Sequence, residues 1–185
     1  MVCWSYCLSN CFNIASIRTS LTEEATIHLT HAFITSRIDY CNSLLFELPQ
    51  YAIKKLQRVQ NTAARIATRS PKHCSITSLL KRLHWLPVKS RIEFKVLLLT
   101  FKALHGLAPE YLKNLLILYI PTRTLRSKFS NNLLMPRTHY KCTEQSFSFA
   151  APKLWNDLPI NIKNAKSSTC FKSLLKTHLF RTAFL

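Results

Sequence analysis

The acidic residues are the first candidates for chemistry, because metal-dependent polymerases and nucleases hold two cations about 3.5–4 Å apart between clustered carboxylates. The sequence contains two aspartates, Asp39 and Asp157, which are far apart along the chain. Glu23 and Glu24 are adjacent, but they follow Thr22, and a hydroxyl followed by two carboxylates is typical of the start of a helix. We therefore predict ion-pair and helix-end roles for these acids and no catalytic residues.

Cysteine is the next candidate, as a ligand for a soft metal. Cys3, Cys7 and Cys11 recur every four residues, which would place them along one helix face, but the spacing of a zinc ribbon, with two residues between cysteines, is missing. Packing of small apolar side chains is the interpretation we favour; metal binding and a disordered terminus are the alternatives. We predict no metal site and no cofactor. The odd, scattered set of seven cysteines favours a reducing compartment.

The charge of the chain points to binding rather than catalysis. The sequence has 26 Lys and Arg against 8 Asp and Glu, a formal net charge of +18. Such an excess indicates a polyanionic partner, either nucleic acid or an anionic membrane surface. A single glycine in 185 residues argues against glycine-rich phosphate loops and against folds built from tight hairpins, so helices are favoured.

The clearest helical pattern lies in residues 51–69. At 100° per residue, the apolar side chains of this segment fall on one side and four basic side chains fall opposite them. The segment contains no acid, whereas a face that is merely solvated usually carries both signs of charge. We predict that this face contacts phosphates, with simple solvation as the alternative. The candidate residues are Lys54, Arg58, Arg65 and Arg69.

A second basic segment follows Pro121, where the helical period disappears and Ser, Thr and Asn become frequent. We predict a loop with one or two short strands, such as Leu133–Met135 before Pro136. Its cations form a possible second line of phosphate contacts. They are Arg123, Arg126, Lys128, Arg137 and Lys141.

The predicted fold is mainly α, a small helical bundle with an irregular basic segment of loop and short strands. Residues 1–20 are of uncertain order, and residues 21–120 form a helical core that includes a buried helix over 90–105. Residues 121–145 form the basic loop, and residues 146–185 form a connector and a final helix. Trp85 with Pro87, and Trp155 with Pro159, are expected to anchor turns with a buried ring, although base stacking by an exposed ring is the alternative.

The apolar stretches are too short for a membrane span, which needs about 20 residues. The N-terminal residues also lack the basic start and cleavage site of a signal peptide. We expect an intracellular protein of the nucleus or cytoplasm. The helix over residues 51–69 is half alanine on its apolar side, a pattern that argues against membrane-surface binding.

Several segments resemble one known family when taken together and in order. They are SRIDYCNSLLFELP, LQRVQNTAARIA, LHWLPVKSRIEFKVLLLTFKALHGLAPEYL, LMPRT, FSFAAPKLWNDLP and FKSLLKTHLF. This set, from about Phe12 to about Phe180, is similar to the region downstream of the polymerase domain in non-LTR, LINE-type and jockey-like retrotransposon polyproteins.

The resemblance implies a helical, non-catalytic region that follows an endonuclease and a reverse transcriptase, neither of whose active sites is expected in this sequence. It implies two partners, namely RNA or single-stranded DNA and the polymerase domain of a parent element. Two alternatives stay open: a transposable-element fragment without independent function, and a module that packs against an absent polymerase domain.

Overall fold

The computed structural model describes residues 2–120, 131–137 and 143–185, and this part of the chain is mainly helical, which confirms the predicted fold class. Short 3-10 turns occur at Arg18–Ser20, Asn42–Leu45 and Thr143–Gln145. The helices are α1 (Val2–Ile17), α2 (Glu23–Thr30), α3 (Ser36–Asp39), α4 (Gln50–Thr68), α5 (Ile76–Arg82), α6 (Val88–Leu104), α7 (Glu110–Asn114), α8 (Phe147–Asn156), α9 (Ile160–Lys163) and α10 (Ser168–Phe184).

The chain divides into two compact units. Unit 1 comprises Met1–Asn42, Leu48–Arg91 and Thr182–Leu185, and unit 2 comprises Ser43–Glu47 and Ile92–Arg181. Unit 1 therefore holds α1 to α5, whereas unit 2 holds α7 to α9 and most of α6 and α10. The helical core that the sequence predicts over residues 21–120 contributes to both units.

Unit 1 is built around α4, which packs against α1, α2 and α5. Its predicted apolar face is buried: Val59, Ala63 and Ala67 are at most 1% exposed. On α1, Cys7 and Cys11 are equally buried. Small side chains on both helices let two backbones approach closely, so the segment of uncertain order is a helix that belongs to the core.

The start of α2 is capped as predicted. The Thr22 hydroxyl accepts a hydrogen bond from the amide of Ala25 at 3.2 Å, and Glu23 and Glu24 occupy the first turn. The Glu23 carboxylate also pairs with Arg82 of α5. A cap, a favourable dipole and one ion pair together fix where this helix begins.

The helix that starts at Glu23 does not run as a regular α-helix to its end. A π-helical turn over His31–Thr35 separates α2 from α3, and in it the amide of Ser36 donates to the carbonyl of His31, five residues earlier. The buried positions of this helix are spaced by four across the turn. They are Thr26, Thr30, Ile34 and Ile38, each at most 4% exposed.

Two glutamines join α4 to the start of α6 within unit 1. The amide of Val88 donates to the Gln57 side-chain oxygen at 2.9 Å, which satisfies a free amide at the beginning of α6. Gln60 is 5% exposed and donates to the carbonyl of Leu86 at 2.8 Å and also pairs with Gln57. These polar side chains are buried at low cost because each has a partner.

The helix predicted to be buried over residues 90–105 is α6, and none of its apolar side chains is exposed. It ends at the single glycine, which has φ +69, and the amides of Gly106 and Leu107 donate back to carbonyls of the last turn. Glycine adopts this left-handed conformation without strain, so Gly106 caps the end of α6.

Unit 2 is organised by aromatic rings. Trp155 is 2% exposed, and its indole nitrogen donates to the carbonyl of Asn131 at 2.9 Å. The ring of Phe171 lies 6.1 Å from Trp155 and 4.2 Å from Phe101, measured between centroids. The Phe171 ring therefore joins α6, α8 and α10 within unit 2, and Trp155 has the buried position expected of an anchor.

The segment over residues 131–137 is held by a side chain. The Asn156 amide group accepts from the amide of Leu133 at 2.8 Å and donates to its carbonyl at 2.9 Å, so it acts like one residue of a neighbouring strand. On its other side Leu133 forms an isolated antiparallel bridge with Leu118. The sequence predicts a short strand at Leu133–Met135. Among the described residues, this segment forms one isolated bridge instead of a strand.

Candidate nucleic-acid interface

The exposed side of α4 carries the first predicted cations. Lys54 and Arg58 are exposed and one turn apart, as expected of residues spaced by four. Pro49 precedes the helix, and its fixed φ suits a helix start. The sequence therefore places these two cations correctly, because both lie opposite the buried Val59 and Ala63.

Tyr51 and Lys55 extend this surface, although the sequence analysis did not select them. Tyr51 is 68% exposed, and the Lys55 ammonium lies 5.9 Å from the centroid of its ring. The signal was available for Tyr51, which falls about 20° from Arg58 at 100° per residue, whereas Lys55 falls about 60° from Arg58, between the basic and apolar sides of the helix. Tyr51, Lys54, Lys55 and Arg58 are called the α4 basic face below.

The other two predicted cations of α4 have structural partners. Arg65 is half-buried and donates from Nη2 to the carbonyls of Lys72 and Cys74, each at 3.2 Å. Arg69 ends the helix in a left-handed conformation, with φ 50, and donates to the carbonyls of Arg18 at 2.9 Å and Thr19 at 3.3 Å. Both arginines fasten neighbouring backbone, and each guanidinium retains further N–H groups.

Arg18 is a buried cation that sequence reasoning missed. It is 8% exposed and donates to three carbonyls: Ile66 at 2.9 Å, Ala67 at 2.9 Å and Leu21 at 2.7 Å. Ile66 and Ala67 lie in the last turn of α4, where carbonyls lack partners within the helix and the dipole favours a cation. Arg18 thus caps the C-terminal end of α4.

These arginines border an open groove of about 590 Å³ at the C-terminal end of α4. Its lining includes Ala15 of α1, the three arginines and the exposed Lys72, which follows α4 in the sequence. None of the described residues that line the groove has a carboxylate. We call it the C-terminal groove; it lies at the far end of the helix that carries the α4 basic face.

The second predicted line of cations lies mainly outside the described residues, which exclude Arg123, Arg126, Lys128 and Lys141. Arg137 is described and is exposed in unit 2. Among the described candidates of unit 1, all four lie on α4 or at its C-terminal cap.

The carboxylates do not form a metal centre in the part of the chain that the structure describes, where no three His, Cys, Asp or Glu side chains converge. Asp39 accepts from Arg91 Nε at 3.2 Å. Burial lowers the pKa of Arg91, and the Asp39 charge opposes that change. Asp39 therefore has the ion-pair role predicted for it, whereas Asp157 is exposed.

The tryptophans at positions 85 and 155 are both buried, at 5% and 2% exposure. Trp85 packs edge-on against the His31 ring, with centroids 5.2 Å apart. Base stacking requires an exposed ring, so this alternative fails for both tryptophans and the anchoring prediction is confirmed.

A smaller cavity of about 310 Å³ lies in unit 2, lined in part by His105, Trp155 and Lys163. Lys163 is 5% exposed, and its ammonium donates to the Asn132 side chain at 3.0 Å and to the carbonyl of Asn156 at 3.1 Å. Burial lowers its pKa, and the charge of Asp157 opposes that change. Nothing in the local sequence indicates that Lys163 is buried, because its acceptors are neutral groups at residues 132 and 156.

The cysteine thiols of α1 yield a testable pH dependence. Burial raises the pKa of Cys11 from 9.0 to about 11. A folded-state pKa above the unfolded value gives stability that is present below pH 9 and is lost as the pH rises towards 11. We expect the free energy of unfolding to fall over this range by up to about 1.4 kcal/mol per pH unit more in the wild type than in Cys11→Ala.

Urea denaturation at several pH values measures this difference, and Cys41→Ala serves as the control because Cys41 is exposed. Equal pH slopes for the wild type and Cys11→Ala would contradict the burial of a protonated thiol. In the same range, a thiol-specific reagent should modify Cys41 and Cys170 before Cys7 and Cys11.

Across the described ranges, no helix has the length and apolar character needed to cross a bilayer. The chain matches no protein-family model, no curated protein and no solved structure.

Proposed function

We propose that this chain binds RNA or single-stranded DNA, without selecting bases, through the α4 basic face. The observation that carries the proposal is an exposed, acid-free helix surface on which the Tyr51 ring lies among Lys54, Lys55 and Arg58. Cations that follow a phosphate backbone, combined with an aromatic ring on which a base can stack, are the two elements of sequence-tolerant single-strand binding.

The alternative for a charged helix face is solvation, and the charge of unit 1 argues against it. Unit 1 contains twelve Lys and Arg and three Asp and Glu. Two of the three acids, Glu23 and Asp39, are paired with arginines, so they do little to neutralise the face of α4. A polyanion would relieve this uncompensated charge.

Membrane binding is the weaker explanation for the same surface. Val59, Ala63 and Ala67, on the apolar side of α4, are buried in unit 1, which leaves this side of the helix unable to enter a lipid interface. The anionic partner proposed here is therefore nucleic acid, met in the nucleus or cytoplasm.

The resemblance to the post-polymerase region of non-LTR retrotransposons supports a specific setting. In that setting the chain contributes binding and no catalysis: it holds template RNA or target DNA close to the polymerase domain of a parent element. The two separate aspartates of the sequence fit this division of labour, because the carboxylate cluster for polymerisation would belong to that domain.

A second candidate function is docking onto another protein, and an exposed apolar run in unit 2 favours it. The side chains in question are at least 44% exposed and close together in sequence, and such patches often mark interfaces. They are Leu107, Tyr111, Leu115, Ile117, Leu118, Tyr119 and Ile120. The two candidates differ in the residues that they need, since docking does not require the α4 basic face.

The first candidate is tested by removing two cations of the α4 basic face. We expect Lys54→Ala with Arg58→Ala to weaken binding of a single-stranded oligonucleotide about tenfold at low salt. The slope of log K against log salt should become shallower by about 0.7 for each phosphate contact removed. Fluorescence anisotropy over a salt series measures both quantities.

The matched control is Lys172→Ala with Lys176→Ala, which removes two exposed lysines of α10 and the same net charge. If the control weakens binding as much as the α4 pair, the effect is one of total charge and the α4 basic face is not the site. Tyr51→Ala should lower affinity without changing the salt slope, because it removes stacking and no charge. A folded wild-type chain that binds no oligonucleotide at low salt would refute the proposal.

A further inference from the structure

The C-terminal groove has more positive charge than an internal phosphate needs, even though Arg18 offsets the negative dipole end of α4. Arg18, Arg65, Arg69 and Lys72 border one groove of about 590 Å³, and none of the described residues that line it is an acid. A phosphodiester within a strand carries one negative charge, whereas a phosphate monoester carries about 1.5 to 2 at neutral pH and offers three acceptor oxygens. The charge of the groove thus complements a monoester better than it complements a diester.

Donors remain for such a ligand after the backbone contacts are counted. Arg69 uses Nη2 for the carbonyls of Arg18 and Thr19, and its Nε and Nη1 have no partner among the described residues. The Lys72 ammonium likewise has no partner within the described ranges. The contacts of Arg18 and Arg65 with carbonyls hold their guanidiniums in place, so the groove is preorganised for a planar, forked contact with phosphate oxygens.

The groove also lies where the end of a bound strand would arrive. It begins at Thr62, one turn beyond Arg58, and includes Arg65 and Arg69 on the same helix. From Lys54 to Arg69 the helix rises roughly 22 Å, so a strand that follows the α4 basic face reaches the groove at one end. There Ala15 of α1 and Lys72 also line the groove.

We propose that the C-terminal groove binds the terminal phosphate monoester of a nucleic-acid strand whose backbone lies along the α4 basic face. The inference rests on the proposed function and makes it more specific: the chain selects strand ends that carry a phosphate. The structure favours neither end of the strand, so a 5′-phosphate and a 3′-phosphate are separate arms of the test.

The experiment compares three oligonucleotides of one sequence with an internal fluorophore: one with a 5′-phosphate, one with a 3′-phosphate and one with hydroxyls at both ends. We expect the wild-type chain to bind one phosphorylated form about tenfold more tightly than the hydroxyl form. In Lys72→Ala this ratio should fall to about threefold or less. Lys81→Ala, which removes an exposed lysine of α5 outside the groove, should retain the wild-type ratio.

A ratio near one in the wild type would overturn the inference, and so would a ratio that Lys72→Ala leaves unchanged. Both results are compatible with strand binding by the α4 basic face. If the wild type binds no strand at all, titration with inorganic phosphate, followed by backbone amide shifts in NMR spectra, tests the groove alone. Shifts around residues 65–72 that Lys72→Ala weakens would support the groove although the proposed function had failed, and their absence would overturn both.

Discussion

Replacing Trp155 with alanine should lower the free energy of unfolding of unit 2 by about 3–5 kcal/mol. The ring is 2% exposed and packs with Phe171, so its removal leaves a cavity in the core. The substitution also takes away the indole N–H that the carbonyl of Asn131 accepts. Urea denaturation followed by far-UV circular dichroism measures the change.

The control for this prediction is Trp155→Phe, which keeps an aromatic ring and removes the donor. We expect it to cost about 1–3 kcal/mol, because the Asn131 carbonyl loses its partner while most of the packing remains. A loss below about 1 kcal/mol for Trp155→Ala would contradict the anchoring role, since buried large-to-small changes ordinarily exceed that figure.

The second large effect is expected at Arg18. Its replacement with alanine should destabilise unit 1 by about 2–4 kcal/mol, because the hydrogen bonds from Arg18 to the carbonyls of Leu21, Ile66 and Ala67 are lost together. The last turn of α4 also loses the cation that opposes its negative dipole end. We expect protection of the α4 amides against hydrogen exchange to fall first near residues 66–69, where the cap acts.

The matched control is Arg58→Ala, which removes an exposed arginine from α4 itself and should change stability by no more than about 0.5 kcal/mol. Arg18→Lys keeps the charge but replaces a fork that reaches three acceptors by a single ammonium, so an intermediate loss is expected. Equal stability losses for Arg18→Ala and Arg58→Ala would mean that Arg18 does not cap the helix.

The sequence was sufficient to locate α4 and to orient it. A period of 3.6 residues separates Val59, Ala63 and Ala67 from Lys54 and Arg58, and the structure buries the first set and exposes the second. Local signals were similarly reliable at helix ends: Thr22 caps α2, and Gly106 ends α6 in the left-handed conformation. These features depend on residues that are close together in the chain, so a sequence pattern contains them.

The roles of individual cations could not be predicted in the same way. Arg65 and Arg69 fall in the basic sector of α4, but Arg65 donates to carbonyls of residues 72 and 74, beyond the end of the helix, and Arg69 donates to carbonyls of residues 18 and 19, about 50 positions earlier. The buried Arg18 donates to a carbonyl 49 residues later in the sequence. The buried Lys163 donates to the uncharged side chain of Asn132. Neither the periodicity nor the composition of a sequence shows which carbonyls outside a helix its side chains will bind. The sequence therefore predicts the same role for all four cations, whereas in the structure two of them donate hydrogen bonds to backbone carbonyls outside α4.

The π-helical turn at His31–Thr35 means that the number of residues in this turn, as well as their side chains, determines how unit 1 folds. Because the turn contains one residue more than an α-helical turn, removing a single residue from it would restore a regular helix and rotate α3 by about 100° relative to α2. Ile38 would then leave the buried stripe, and Asp39 would turn away from Arg91. Insertions and deletions at this turn are therefore expected to be far less tolerated than substitutions of its exposed Ala32 or Phe33.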